Sequence, residues 1–143
     1  MKSILLLIVS GWLVLFSGCS EEELQNPKAH YTLKSKTENG TIVLTEPYIV
    51  NVGQSIDFIN EGSADYYSFF SGMPGSVWTD YLNPDDTTNE GMDTTATGDV
   101  SFTYTAAGDY TATIVLTNRK MKNPYEYKQV TITFAIKVIV PGN

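Results

Sequence analysis

The stretch VTITFAIKVIV, residues 130 to 140, alternates apolar and polar or small side chains with a period of two. In an extended chain Val130, Ile132, Phe134, Ile136 and Val138 fall on one side; a helix would scatter them around its circumference. The same period recurs in DYTATIVLTN (109 to 118), where Tyr110, Ala112, Ile114 and Leu116 share a side. It recurs again in VSFTYT (100 to 105), through Val100, Phe102 and Tyr104, and in SIDFIN (55 to 60), through Ile56 and Phe58. Threonine and β-branched residues fill many of the positions between, as a pleated surface favours. No stretch has the pattern of an amphipathic helix.

Turn signals separate these segments. Asn39-Gly40, flanked by YTLKSK and TIVLT, predicts a two-residue hairpin. Asn51-Val52-Gly53, Ala106-Ala107-Gly108 and Lys122-Asn123-Pro124 punctuate the rest. About seven short strands with turns between them predict an all-β antiparallel sandwich over residues 30–143.

The N-terminus follows a different rule. Residues 1–18 place one cation, Lys2, before an apolar run from Ile4 to Phe16, and Ser17 and Gly18 close it. This is the layout of a secretory signal peptide. The run is shorter than the ~20 helical residues that cross a bilayer. Leu15-Phe16-Ser17-Gly18-Cys19 resembles the lipobox of bacterial lipoproteins, with Phe16 where that motif usually has an aliphatic residue. The resemblance implies that the Cys19 thiol accepts lipid and becomes the first residue. As the only cysteine of the chain, it has no partner for an internal disulfide. Ser20, Glu21, Glu22 and Glu23 resemble the acidic signal that sends Bacteroidota lipoproteins to the outer face of the outer membrane. The alternative for these acids is a solvated charge run. Residues 19–29, polar and containing Pro27, read as a lipidated N-terminus and flexible tether.

Charge narrows the partners. With 9 Lys plus Arg against 16 Asp plus Glu, the net charge is −7. That balance argues against nucleic acid, whose phosphates must be neutralised by cations. It argues equally against docking on anionic lipid, leaving attachment to the outer membrane to the acyl chains. Arg119, Lys120 and Lys122 make one small basic hairpin end, read as a solvated turn.

VSFTYTAAGDYTATIVLTN, residues 100 to 118, resembles the C-terminal half of PKD-type domains, with Tyr104, Gly108, Tyr110, Thr111 and Asn118 at the family's positions. VGQSIDFIN resembles that family's second strand. The resemblance spans roughly residues 48 to 140 and implies an immunoglobulin-like sandwich. Gly108 and Tyr110 are then fold determinants: Gly108 would permit a turn, and Tyr110 would lie in the core with its hydroxyl on backbone upstream, as in a tyrosine corner. Thr111 and Thr113 would face outward. Where PKD domains carry WDFGDG, this chain has YYSFFSGMPG (66 to 75), so a calcium role tied to those acids does not carry over. That variant looks more like a PKD-related domain of Bacteroidota surface lipoproteins, often associated with glycan utilisation.

Nothing in the chain has the spacing of a catalytic site. His30 is the only histidine and has no cysteine beside it to build a zinc site. Asp85 and Asp86 are neighbours in a Thr-, Gly- and Asp-rich loop, whereas a glycosidase needs two acids facing each other across a cleft. With Asp93 they form a weak calcium candidate that lacks EF-hand spacing; no other cofactor is implied. Asp86-Thr87-Thr88 and Asp93-Thr94-Thr95 resemble a Bacteroidota O-glycosylation sequon, with Thr87 and Thr94 as acceptors. Trp78, Tyr81, Tyr125 and Tyr127 lie close to loops, where exposed rings can stack on sugars or anchor a protein partner. Trp78 could equally plug one end of the sandwich. The reading is a non-catalytic cell-surface binding or adhesion lipoprotein, with glycan as the ligand class the resemblance implies. The alternative is a structural accessory subunit that docks another outer-membrane protein.

Overall fold

The computed structural model describes residues 23–78, 92–123 and 126–142. Among them the regular structure is all strand: β1 (Tyr31–Thr37), β2 (Gly40–Val43), β3 (Tyr48–Asn51), β4 (Ser55–Asn60), β5 (Tyr66–Phe70), β6 (Met92–Asp93), β7 (Val100–Thr103), β8 (Gly108–Arg119) and β9 (Tyr127–Ile139). They form a four-stranded sheet in the order β2-β1-β4-β7 and a five-stranded sheet in the order β3-β9-β8-β5-β6. No helix among the described residues is long and apolar enough to cross a membrane.

The two sheets face each other across one core, as a sandwich requires. Leu33, Ile56, Phe58, Val100 and Tyr104 enter it from the first sheet and its flank. Val50, Phe69, Ala112, Ile114, Leu116, Phe134, Ile136 and Val138 enter from the second. These are largely the residues that the period-two pattern put on one side. Phe58 bridges the layers, its ring centroid 5.1 Å from that of Phe69 and 5.5 Å from that of Phe134. Each fully buried side chain of this size stabilises the fold by roughly 1.5–3 kcal/mol.

Several expectations need correction. The sandwich is not wholly antiparallel, because β3 pairs with β9 in parallel, Tyr48 opposite Ile136 and Val50 opposite Val138. Alternation tells which side chains point inward but carries no strand direction. Thr113 has the outward register expected of it but is covered there: β8 lies between β9 and β5, and Phe70, Thr113 and Val115 are buried on the outer side of that sheet. The first hairpin closes with Thr37 opposite Gly40, so Glu38 and Asn39 form its turn. No non-glycine residue among those described has a positive φ, and the special conformation falls on Gly40 (φ 117°). The turn is therefore not the mirror-image type that Asn39-Gly40 predicts.

The expected tether is held from Gln25 onward. Pro27 is buried, and Lys28 and Ser63 exchange two backbone hydrogen bonds of 2.9 Å each. Gly62 makes this possible: a Cβ there would stand 1.8 Å from the Lys28 carbonyl oxygen. Asn118 donates from Nδ2 to the Gln25 carbonyl at 3.0 Å and accepts from the Asp65 N–H at 2.9 Å. A polar segment can dock this way because it satisfies its backbone groups one by one, which composition does not reveal.

Candidate functional site

Two tyrosines organise the end of the sandwich away from the tether. Tyr104, just after β7, is fully buried and donates its hydroxyl to the Ser71 carbonyl at 2.8 Å. Burial, together with the neighbouring Tyr110, pushes its phenol well above the ordinary range. Tyr110 stacks on Tyr104 with centroids 4.7 Å apart and donates its hydroxyl to the Ala106 carbonyl at 3.0 Å. It is half-buried rather than central to the core. Gly108 has an ordinary φ; its lack of a side chain leaves room for the Tyr110 phenol, which a Cβ would meet at 3.3 Å.

The outer face of the five-stranded sheet carries the most open aromatic surface. Alternation along β5, β8 and β9 directs Tyr66, Thr117, Arg119, Tyr127 and Gln129 to that face. Tyr66 is 57 % exposed and Tyr127 58 %. Between them stands Arg119, its guanidinium carbon 5.1 Å from the Tyr66 ring centroid, in cation–π range. The Arg119 backbone N–H donates to the Asp65 carboxylate at 2.9 Å, which fixes the strand end. Gln129 donates from Nε2 to the Thr117 hydroxyl at 3.1 Å, leaving its amide carbonyl on an exposed residue. The result is an exposed surface with two rings, a guanidinium and an amide within a few strand positions.

The predicted ligand-binding rings separate. Tyr127 belongs to this face. Trp78 is half-buried, its ring tilted against Phe70 with centroids 5.1 Å apart, and its indole N–H is buried without an acceptor. That is the packing of a plug, not of an open platform. Tyr81 and Tyr125 lie outside the described residues, as do Cys19, Ser20, Glu21, Glu22, Thr87, Asp85 and Asp86. Glu23 is exposed. Asp93 falls in β6, opposite Ser68. Thr94 is half-buried and donates its hydroxyl to the Thr95 carbonyl at 3.0 Å.

Sequence reasoning missed Tyr66, which it treated only as part of a departed motif. The available signal was its place two residues before Ser68 and four before Phe70 on a strand, which puts it on the face opposite Phe69.

Other polar clusters hold the fold together. His30 Nδ1 lies 2.9 Å from a Glu61 carboxylate oxygen, with both side chains largely in solvent. Asn60, Tyr67 and Asp99 tie the turn before β7 to β4: Asp99 accepts from the Asn60 N–H at 2.8 Å, and Asn60 Nδ2 donates to the Thr97 carbonyl at 2.7 Å. Tyr31 donates to the Gly98 carbonyl at 3.1 Å in the same knot, and burial raises its phenol above the usual range. Among the described residues no group of three or more His, Cys, Asp or Glu is placed to hold a metal ion.

Comparison with protein-family models, with curated proteins and with solved structures finds no match.

Proposed function

We propose that this chain is a non-catalytic, lipid-anchored binding module of the bacterial outer surface, with an immunoglobulin-like, PKD-related domain that takes glycan on the outer face of its five-stranded sheet. The observation that carries the binding role is the pairing of exposed Tyr66 and Tyr127 around Arg119, with Gln129 beside them. Aromatic faces stack on the apolar faces of sugar rings, and the guanidinium and amide supply donors and an acceptor for hydroxyls. The immunoglobulin-like reading is supported by the parallel β3–β9 pairing at the sheet edge and by the Tyr110 hydroxyl reaching back to Ala106.

Binding to a glycan array or to immobilised polysaccharide tests the reading. Tyr66→Ala and Tyr127→Ala should each weaken binding at least tenfold, about 1.4 kcal/mol, with an unchanged melting temperature. Wild-type protein that is folded and binds no glycan would refute it. The anchor is tested separately: Cys19→Ala should abolish incorporation of a fatty-acid analogue and release the protein from membranes. Alanine at positions 21–23 should keep the lipid but remove protease accessibility on intact cells.

A second reading is docking of another outer-membrane protein along β2. This strand is an exposed sheet edge, and Ile42 and Val43 stand in solvent on it. An unpaired edge of this kind accepts a strand from a partner. Lysine substitution at Ile42 would then abolish the complex and leave glycan binding intact.

A further inference from the structure

The docked N-terminal segment fixes which end of the sandwich faces the bilayer. Gln25 is bonded to Asn118, and Asn118 lies at the root of the hairpin that joins β8 to β9. Cys19 is six residues before Gln25 in the sequence. Whatever their path, six residues span at most roughly 20 Å, since an extended chain covers ~3.3–3.6 Å per residue. From Lys128, the partner of Asn118, to the end of β9 at Ile139 the strand runs roughly 35 Å, at ~3.3 Å per residue. A lipid on Cys19 therefore keeps the hairpin end within roughly 20 Å of the membrane, less than the length of the strand that leads to the opposite end.

The hairpin tip has the composition of a bilayer interface. Beyond the last pair, Arg119 opposite Tyr127, the chain continues as Lys120, Met121 and Lys122. Met121 is fully exposed at 101 %, the most exposed of the large apolar side chains among the described residues. Lys122 is exposed beside it. Lys120 Nζ lies 2.6 Å from the Glu126 carboxylate, and this contact, with a further hydrogen bond from Asn123, braces the tip and holds Glu126 below the usual carboxylate range. Four cations, Arg119, Lys120, Lys122 and Lys128, thus gather in ten residues of a chain whose net charge is −7. An apolar side chain flanked by lysines, with tyrosines behind it, suits the layer where acyl chains meet phosphates. Each cation close to an anionic surface contributes about 1 kcal/mol.

We propose that the β8–β9 hairpin tip is a second, non-covalent membrane contact, with Met121 inserted among the headgroups and Lys122 beside it on lipid phosphates. The proposal rests on the acylation of Cys19. It replaces the expectation, drawn from net charge alone, that the acyl chains are the sole attachment. The charge that matters to a surface is the charge facing it within a Debye length of ~8 Å at physiological salt.

The test uses the membrane-derived, full-length mature protein, reconstituted into vesicles of phosphatidylcholine and phosphatidylglycerol. The photoreactive amino acid p-benzoyl-phenylalanine is placed at position 121, or at position 140 just beyond the far end of β9. Both wild-type side chains are exposed, so neither change disturbs the core. Lipid adducts should be at least tenfold more abundant from position 121. Lys122→Glu should cut that yield severalfold, as should vesicles of phosphatidylcholine alone. Equal yields from the two positions, on protein whose N-terminal peptide carries its acyl mass, would overturn the hairpin contact alone. An N-terminal peptide without acyl mass would overturn the anchor and this proposal with it.

Discussion

Removing one hydroxyl from the stacked tyrosine pair should distinguish an interior hydrogen bond from a surface one. The Tyr104 hydroxyl is enclosed and donates to the Ser71 carbonyl at 2.8 Å, just past the end of β5. Tyr104→Phe keeps the ring and its contacts but leaves that carbonyl without its donor where water cannot easily replace it. A buried acceptor stripped this way costs about 1–3 kcal/mol. Tyr110→Phe deletes a bond of similar length, 3.0 Å to Ala106, but at an exposed site where water takes over. Its cost should stay near 0.5–1 kcal/mol. In urea, with m in the range of 1–3 kcal/mol/M for a domain of this size, Tyr104→Phe should lower the midpoint by roughly 1 M without altering m. A Tyr110→Phe midpoint as low as that of Tyr104→Phe would refute the argument. A double-mutant cycle with Tyr104→Leu and Tyr110→Leu should then return about 0.5–1.5 kcal/mol of coupling for the stacked rings.

Gly72→Ala should destabilise far more than Gly53→Ala in the same urea titration. Both have φ of +81°, but a Cβ at Gly72 would stand 2.5 Å from the Thr111 carbonyl oxygen while one at Gly53 meets nothing within 4 Å. Stability should fall as pH rises past about 10: Tyr31 and Tyr104 keep their protons in the folded state after the unfolded chain has lost them, so unfolding releases protons. Tyr31→Phe and Tyr104→Phe should each flatten that alkaline limb of a stability–pH curve, and a limb unchanged in both variants would contradict the burial. Gly62→Ala should detach the N-terminal segment, seen as faster amide exchange at Lys28 and Ser63 with little change at the β8–β9 ladder.

The core was legible because it rests on one short-range rule. Val130 to Val138 put Val, Ile, Phe, Ile and Val on one face against Thr, Thr, Ala and Lys on the other, and Ala112, Ile114 and Leu116 continue that inner face into the core. Where the rule stops, so did the reading. The parallel pairing of β3 depends on residues 44 to 47 carrying the chain from one sheet to the other, and no side-chain period encodes such a crossing. Alternation puts Thr113 on the outward face, where it does lie, but alternation does not tell that this face is covered there. Its burial comes from Phe70 across the ladder, a contact between strands more than forty positions apart. Gly108, at the start of β8, has an ordinary φ, and its missing side chain leaves space for the Tyr110 ring.

The candidate site was less legible because aromatic residues serve the core and the surface with the same chemistry. Trp78 and Tyr127 are equal candidates from sequence; in the fold Trp78 packs against Phe70, while the outward register of β9 leaves Tyr127 exposed. Tyr66 and Tyr67 show how narrow the distinction is. They are adjacent on β5, yet Tyr67 faces inward and its hydroxyl accepts from Asn60 and Ala64, while Tyr66 stands under Arg119. A slip of one residue in register would exchange them and remove the binding face altogether. Net charge misleads in a related way. A total of −7 describes the chain, but on the proposed anchoring a bilayer would meet only the part that the docked segment turns toward it. Because Asn118 and the Lys28–Ser63 backbone bonds hold the N-terminal segment near the basic β8–β9 hairpin, acylation of Cys19 would bring lipid and cations to the same end.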